Sequence, residues 1–184
     1  MSLIHPSPSL ASLDQRARDI FRRSYAGVMY TRRQETSGGV GAGDTFGLDT
    51  LISTSPAINI NLYAAKTQTP GVTGKDTSYL GRFDYNLDRY GLQLERLNVG
   101  AQFNPEVGFL RRADMRKNFA QLRFSPRPKK YKKVRQFFWQ ADLTYIESGA
   151  GKLETRTRHG YFSTEFSSSD LGNGEKGGNI LAQA

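Results

Sequence analysis

Gly38-Gly39-Val40-Gly41-Ala42-Gly43-Asp44-Thr45 is a stretch whose residue types invite a nucleotide. Its glycines have the spacing of a phosphate-cradling loop, in which a lysine before the closing Ser/Thr reaches the outer phosphates. Asp44 holds that lysine position here, and its charge would repel phosphate. The preceding Thr31-Arg32-Arg33-Gln34-Glu35 is not a buried apolar strand either. A flexible surface loop is the expected reading.

Carboxylates offer a second chemistry. Asp49, Asp84, Glu95, Asp142, Glu154 and Glu165 are scattered along the chain. Glycoside hydrolysis needs two at a defined separation, one kept protonated by its surroundings. No pair stands out. They are interspersed with Arg82, Arg96, Arg123, Arg156 and Arg158, an arrangement that suggests cross-strand ion pairs on polar faces. No Ser–His–carboxylate set can be picked out, and His159 reads as an ordinary polar-face residue. The chain has no cysteine, which excludes disulfides, thiolate catalysis and Cys-based zinc sites. Its two histidines, His5 and His159, are too far apart in sequence for a helical metal pair. No catalytic residue, metal site or cofactor site is expected, and the chain is not read as an enzyme.

Basic residues cluster at Arg111-Arg112 and Arg116-Lys117, then at Arg127, Lys129, Lys130, Lys132, Lys133 and Arg135. With Tyr131, Phe137, Phe138 and Trp139 beside them, they could grip phosphates while the rings stack on bases. The simpler reading is a solvated turn, stiffened by Pro126 and Pro128, that leads into an amphipathic strand. Nucleic acid is therefore not the expected partner.

These side chains must be positioned by the elements of a 184-residue chain of net charge +9. Its hydrophobic fraction is 37%, its aromatic fraction 11% and its mean hydropathy −0.58. So many aromatics argue against disorder. No run approaches the roughly 18 apolar residues of a membrane helix, and Met1 to Pro8 lacks the basic and apolar regions of a signal peptide. A membrane β-barrel stays open, because alternating strands average to modest hydropathy.

Residues 1–23 read as an N-terminal arm or short helix. Ser12-Leu13-Asp14-Gln15 fits a capping box, and Leu13, Ala17, Ile20 and Phe21 follow at helical spacing. From Ser24 to Phe166 the period is two. Ile58, Ile60 and Leu62 alternate with Asn59, Asn61 and Tyr63. Phe137, Trp139, Ala141, Leu143 and Tyr145 alternate with Gln136, Phe138, Gln140, Asp142 and Thr144. Successive strand side chains point to opposite faces, so each segment has an apolar and a polar side.

About eight strands are predicted, at 24–33, 44–53, 57–67, 77–86, 89–99, 117–125, 134–147 and 152–166. No intervening segment has room for a crossover helix, so the fold class is all-β, an antiparallel up-and-down meander. Connections alternate between short (53–56, 86–88) and long (34–43, 68–76, 100–116) before the pattern blurs, as in barrels with short periplasmic turns and long outer loops. Phe137 to Tyr145 has the length of a tilted membrane-crossing strand, about 9–11 residues. Its apolar side has aromatics at both ends. Residues 167–184 read as a flexible Gly/Ser tail.

Four stretches carry a more specific likeness: Arg22-Arg23-Ser24-Tyr25-Ala26-Gly27, Asp84-Tyr85-Asn86-Leu87-Asp88-Arg89-Tyr90-Gly91-Leu92-Gln93-Leu94, Phe103-Asn104-Pro105-Glu106-Val107-Gly108-Phe109-Leu110-Arg111-Arg112, and Ala120-Gln121-Leu122-Arg123-Phe124-Ser125-Pro126-Arg127-Pro128. Ala65-Lys66-Thr67-Gln68-Thr69-Pro70-Gly71 fits the same pattern. From about Arg18 to Phe166 the chain resembles a bacterial outer-membrane β-barrel domain of unknown function. Full-length members of that family carry a carbohydrate-binding module of the family 9 type ahead of the barrel. The resemblance implies an outer-membrane location, outer-membrane lipid as a partner, and carbohydrate binding or uptake by the parent protein. It supplies no catalytic residue.

Neither a signal peptide nor the carbohydrate-binding module precedes the matching region, and the later barrel strands are missing. The chain is thus expected to be an excerpt of a larger barrel, whose absent strands would be its natural neighbours. In lipid, unpaired backbone groups are costly and a spanning sheet must close. Expressed alone, the chain should form a curled open sheet with two bare edges.

Lipid-facing candidates are Ile58, Ile60, Leu62, Phe83, Leu92, Leu94, Leu122, Phe124, Trp139 and Leu143. Lumen-facing candidates are Asn59, Asn61, Arg82, Asp84, Gln93, Glu95, Arg123, Gln140 and Asp142. Two rivals differ in kind. A soluble basic β-domain binding nucleic acid or another polyanion would lose affinity steeply with salt. A glycan-cleaving enzyme would lose activity on replacing Asp84, Glu95 or Asp142.

Overall fold

Alternating side chains and frequent aromatic and β-branched residues favour extended pairing, and nine strands form. A computed structural model describes residues 12–19, 23–33, 42–105, 110, 112–130 and 133–166. The strands are β1 (Ser12–Asp19), β2 (Tyr25–Arg33), β3 (Gly43–Ser55), β4 (Ile58–Gln68), β5 (Thr77–Asn86), β6 (Tyr90–Val99), β7 (Met115–Phe124), β8 (Val134–Ser148) and β9 (Leu153–Phe166). They make one sheet in chain order, and each pairing is antiparallel. The eight strands expected from Ser24 onward are all present, with ends displaced by at most two residues.

The helical alternative for the N-terminal segment is corrected. Ser12–Asp19 pairs residue for residue with Arg32–Tyr25 of β2. A single short amphipathic helix has marginal stability alone, whereas β2 offers a row of backbone partners. The tail at 167–184 and the greater part of the glycine-rich segment, 34–41, lie outside the described residues.

Antiparallel pairing in chain order puts the joined strand ends alternately at two ends of the sheet. The β1–β2, β3–β4, β5–β6 and β7–β8 junctions mark the near end, and the β2–β3, β4–β5, β6–β7 and β8–β9 junctions the far end. At the near end, the Arg123 guanidinium ties down the β5–β6 turn. It donates to Asn86 Oδ1 at 2.7 Å, to Asp88 O at 3.2 Å and to Leu87 O. It reaches them by crossing its register partner Gly91, where an added Cβ would lie 2.9 Å from Arg123 Nε. Gly91 therefore leaves the path that the arginine occupies.

Burial runs opposite to that of a water-soluble domain. Leu48 and Leu122 are each 60% exposed, while Thr67 and Ser125 are 1% exposed. Among the described residues, Val99 and Phe103 are the only buried hydrophobics. No strand touches any strand other than its chain neighbours, so the described residues form a single layer. The polar side chains shield one another more than the apolar ones do, as expected if the sheet curls with its polar face inward. Among the described residues β1 and β9 are the edge strands, and they run in the same direction. Joining them to each other would make a parallel pair, so an all-antiparallel closure needs an odd number of additional strands.

Candidate functional site: the two faces of the sheet

Register sorts the lumen-facing and lipid-facing candidates onto opposite faces. Asn61, Arg82, Glu95, Phe119 and Thr144 are successive cross-strand partners, as are Asn59, Asp84, Gln93, Gln121, Asp142 and His159. Arg123 and Gln140 are partners on the same side. All the candidate inner polar residues thus share one face. Leu51, Asn59, Gln93, Gln121 and Gln140 line a groove of about 590 Å³ on it.

Charges on this face are matched locally. Arg82 donates from Nε to Asp84 Oδ2 at 2.8 Å and from Nη2 to Asp84 Oδ1 at 3.1 Å. Such a two-pronged bond forms because residues i and i+2 of a strand share a face. Lys117 Nζ reaches Glu95 Oε1 at 2.9 Å, and His159 Nδ1 lies 2.8 Å from Asp142 Oδ2. His159 is thus a polar-face residue paired across strands. Among the described residues no cluster of three or more acidic or histidine side chains could hold a metal ion.

One expectation needs correcting. Arg96, Arg156 and Arg158 are not on the polar face, because Arg96 opposes Gly81 and Asn118, and Arg156 and Arg158 oppose Tyr145 and Leu143. Glu154 is bound by Arg112 rather than by a neighbour on its own sheet face. A register irregularity between Ile146 and Glu147 complicates the parity of β9, and a single-strand pattern does not reveal it.

The opposite face carries every apolar candidate. Ile60, Phe83, Leu94, Ala120 and Leu143 form one cross-strand row; Ile58, Tyr85, Leu92, Leu122 and Ala141 form the next. Leu62 lies one row toward the far end, opposite Gly81. Leu62, Leu94, Leu122, Phe124, Trp139 and Leu143 are exposed, and nothing among the described residues covers this face.

Its borders run diagonally. The row starting at Val28 and Leu48 continues through Ala64 and Tyr79, then arrives at Asn98, Arg116 and Glu147. The same row is apolar on β2–β5 and polar on β6–β8. At the near end the shift is in the same sense. Ile52, the last large apolar residue on β3, shares its row with Leu143 of β8, yet β8 stays apolar for six residues more, to Phe137. The band is a parallelogram that slants across the hydrogen-bonded rows.

Aromatic rings mark both borders. Tyr90, Phe124, Trp139 and Phe162 are consecutive partners at the near end, with centroids 5.2, 5.7 and 5.1 Å apart. Tyr30 and Phe46, 5.0 Å apart, lie at the far end with Tyr79 and Tyr145. Beyond them Tyr30 donates to Asp44 at 2.8 Å, and Arg32 and Lys66 pair with Asp44 and Asp76 at 3.8 Å. Asp44 and Thr45 of the glycine-rich stretch are thus residues of β3, with Asp44 engaged by its neighbours.

Sequence reasoning missed one structural piece. The start of the 100–114 connection turns back over the far rim on the polar side. Gln102 N–H donates to Lys75 O at 2.9 Å, and Asn104 N–H donates to Thr67 Oγ1 at 3.2 Å. Thr45 Oγ1 reaches Pro105 O at 3.5 Å, and Phe103 is buried beneath. Comparison with protein-family models, with curated proteins and with solved structures finds no match for this chain.

Proposed function

We propose that this chain is a non-catalytic segment of a bacterial outer-membrane β-barrel, its apolar band facing lipid and its polar face lining the lumen. The observation that carries this reading is the slant of the apolar band. Rows of backbone hydrogen bonds run perpendicular to the strands, so a band parallel to the membrane crosses them at the strand tilt. The near border drifts six residues between β3 and β8. That is about 20 Å along the strands against about 24 Å across five strand spacings, an angle of about 40°. Membrane barrels tilt their strands by about 35–45°. A soluble sheet has no reason to slant its apolar face by that angle.

Strand length supports the same reading. Phe137 to Tyr145 is about 27 Å of strand, or about 21 Å along the membrane normal at that tilt, and a membrane-crossing strand takes about 9–11 tilted residues. The apolar band of an outer-membrane barrel is about 25 Å tall, with aromatic girdles at both borders. The near-end connections Pro56-Ala57 and 87–89 are short beside 69–76 and 100–114 at the far end, which supports a near end that faces the periplasm, although 125–133 at the near end is long and 149–152 at the far end is short. A non-catalytic role is favoured because Asp84, Glu95 and Asp142 are each engaged by a basic or histidine partner. The resemblance noted above adds that the parent protein binds or takes up carbohydrate at the cell surface.

Refolding is the test. With its apolar face in contact with detergent, the chain should refold into a monodisperse β-rich species in zwitterionic micelles and aggregate when detergent is withheld. A soluble, monodisperse monomer in plain buffer would overturn the proposal.

A further inference from the structure

We propose that the β7–β8 connection at the near end is a docking surface for the headgroups of anionic phospholipid. The inference rests on the barrel reading and adds a lipid specificity to it. Lys129, Lys130 and Lys133 lie on this connection, and none has a carboxylate within ion-pair distance among the described residues. The nearby acids are already engaged, Asp88 by Arg127 and Glu165 by Arg135, each at 2.8 Å. At the far end Lys75 and Lys152 also lack an ion pair among the described residues, but Asp44, Asp76, Glu147 and Glu154 engage Arg32, Lys66, Arg116 and Arg112, and Asp114 adds a further negative charge. Among the described residues the surplus of positive charge is therefore greater at the near end.

Position gives that charge its partner. Ser125 N–H donates to Arg89 O at 2.7 Å, and Phe137 N–H donates to Pro126 O at 3.0 Å. These bonds, with Pro126 and Pro128, fix the start of the connection beside the aromatic row that contains Trp139. Lysines just beyond an aromatic border sit where a bilayer presents its phosphates. Each basic residue near an anionic surface strengthens attachment about fivefold. Phosphatidylglycerol fits because it is acyl-anchored at the depth of the rings and carries its negative charge at the depth of the lysines.

The experiment dilutes the full chain from detergent onto phosphatidylcholine vesicles, with or without phosphatidylglycerol, and follows attachment by co-flotation and by the emission of Trp139. Wild type should attach about tenfold more tightly with phosphatidylglycerol, and added salt should erase the gain. The triple variant K129A/K130A/K133A should show little gain, while K129R/K130R/K133R should retain it. Attachment indifferent to phosphatidylglycerol, or equal gain in the alanine variant, would overturn the headgroup site and leave the barrel reading intact. Failure of wild type to attach to either vesicle, with Trp139 emission unshifted, would bring down both. Lysine-dependent binding of single-stranded DNA in solution, with no lipid effect, would overturn the proposal in favour of a polyanion binder.

Discussion

Leu122 and Gln121 are chain neighbours with opposite surroundings, the first on the exposed apolar face and the second on the polar face opposite Gln93 and Asp142. In a water-soluble protein a leucine that is 60% exposed could become lysine at almost no cost. In a barrel wall the same change brings a charge to mid-bilayer depth, a loss of about 2–4 kcal/mol. We expect Leu122→Lys to lower unfolding stability in micelles by that amount, with Gln121→Lys near neutral. Denaturant titration checks this, and equal small effects would contradict the account. At this scale the faces were legible in the sequence, since alternation alone separates Leu122 from Gln121. The use of Arg123 was not, because the turn it binds and the bare backbone of Gly91 come from another strand.

Between strands, the β6–β7 connection has the clearest structural constraint. An added Cβ at Gly100 would lie 2.0 Å from Lys75 O, a backbone atom. Gly100→Ala should lift the 100–105 segment off Thr67 and expose Phe103, with faster protease cleavage there and the sheet otherwise retained. Unchanged cleavage would show that the segment is not held by this close approach. Strand positions were legible because a period of two persists through β3 to β8 and turn-forming residues interrupt it. The N-terminal segment reads as an arm or a short helix because Ser12, Gln15, Ala17 and Ile20 satisfy helical signals locally, whereas the strand pairing of Ser12–Asp19 depends on β2. The fold-back of residues 100–105 leaves no periodic trace, and its anchors, Thr45, Thr67 and Lys75, lie far upstream.

Taken whole, the described residues form a sheet with one exposed apolar face, an opposite polar face whose side chains shield one another, and two edge strands of the same direction. The slant of the apolar band belongs to this scale alone. Each strand reveals its own apolar limits, but the drift of those limits appears only once register links β2 to β8. For the same reason the sequence indicated a meander without indicating a tilt. The edge strands explain the expected need for detergent, since exposed strand edges template association.

The single tryptophan offers the most direct test of which solvent meets the apolar band. Trp139 lies at the near border, 39% exposed, and reports on that face without background from other indoles. With the chain refolded in micelles doped with phosphatidylcholine brominated on its acyl chains, Trp139 emission should be blue-shifted, strongly quenched by bromine and shielded from aqueous iodide. Quenching by iodide with no effect of acyl bromine would place that face in water and contradict the account.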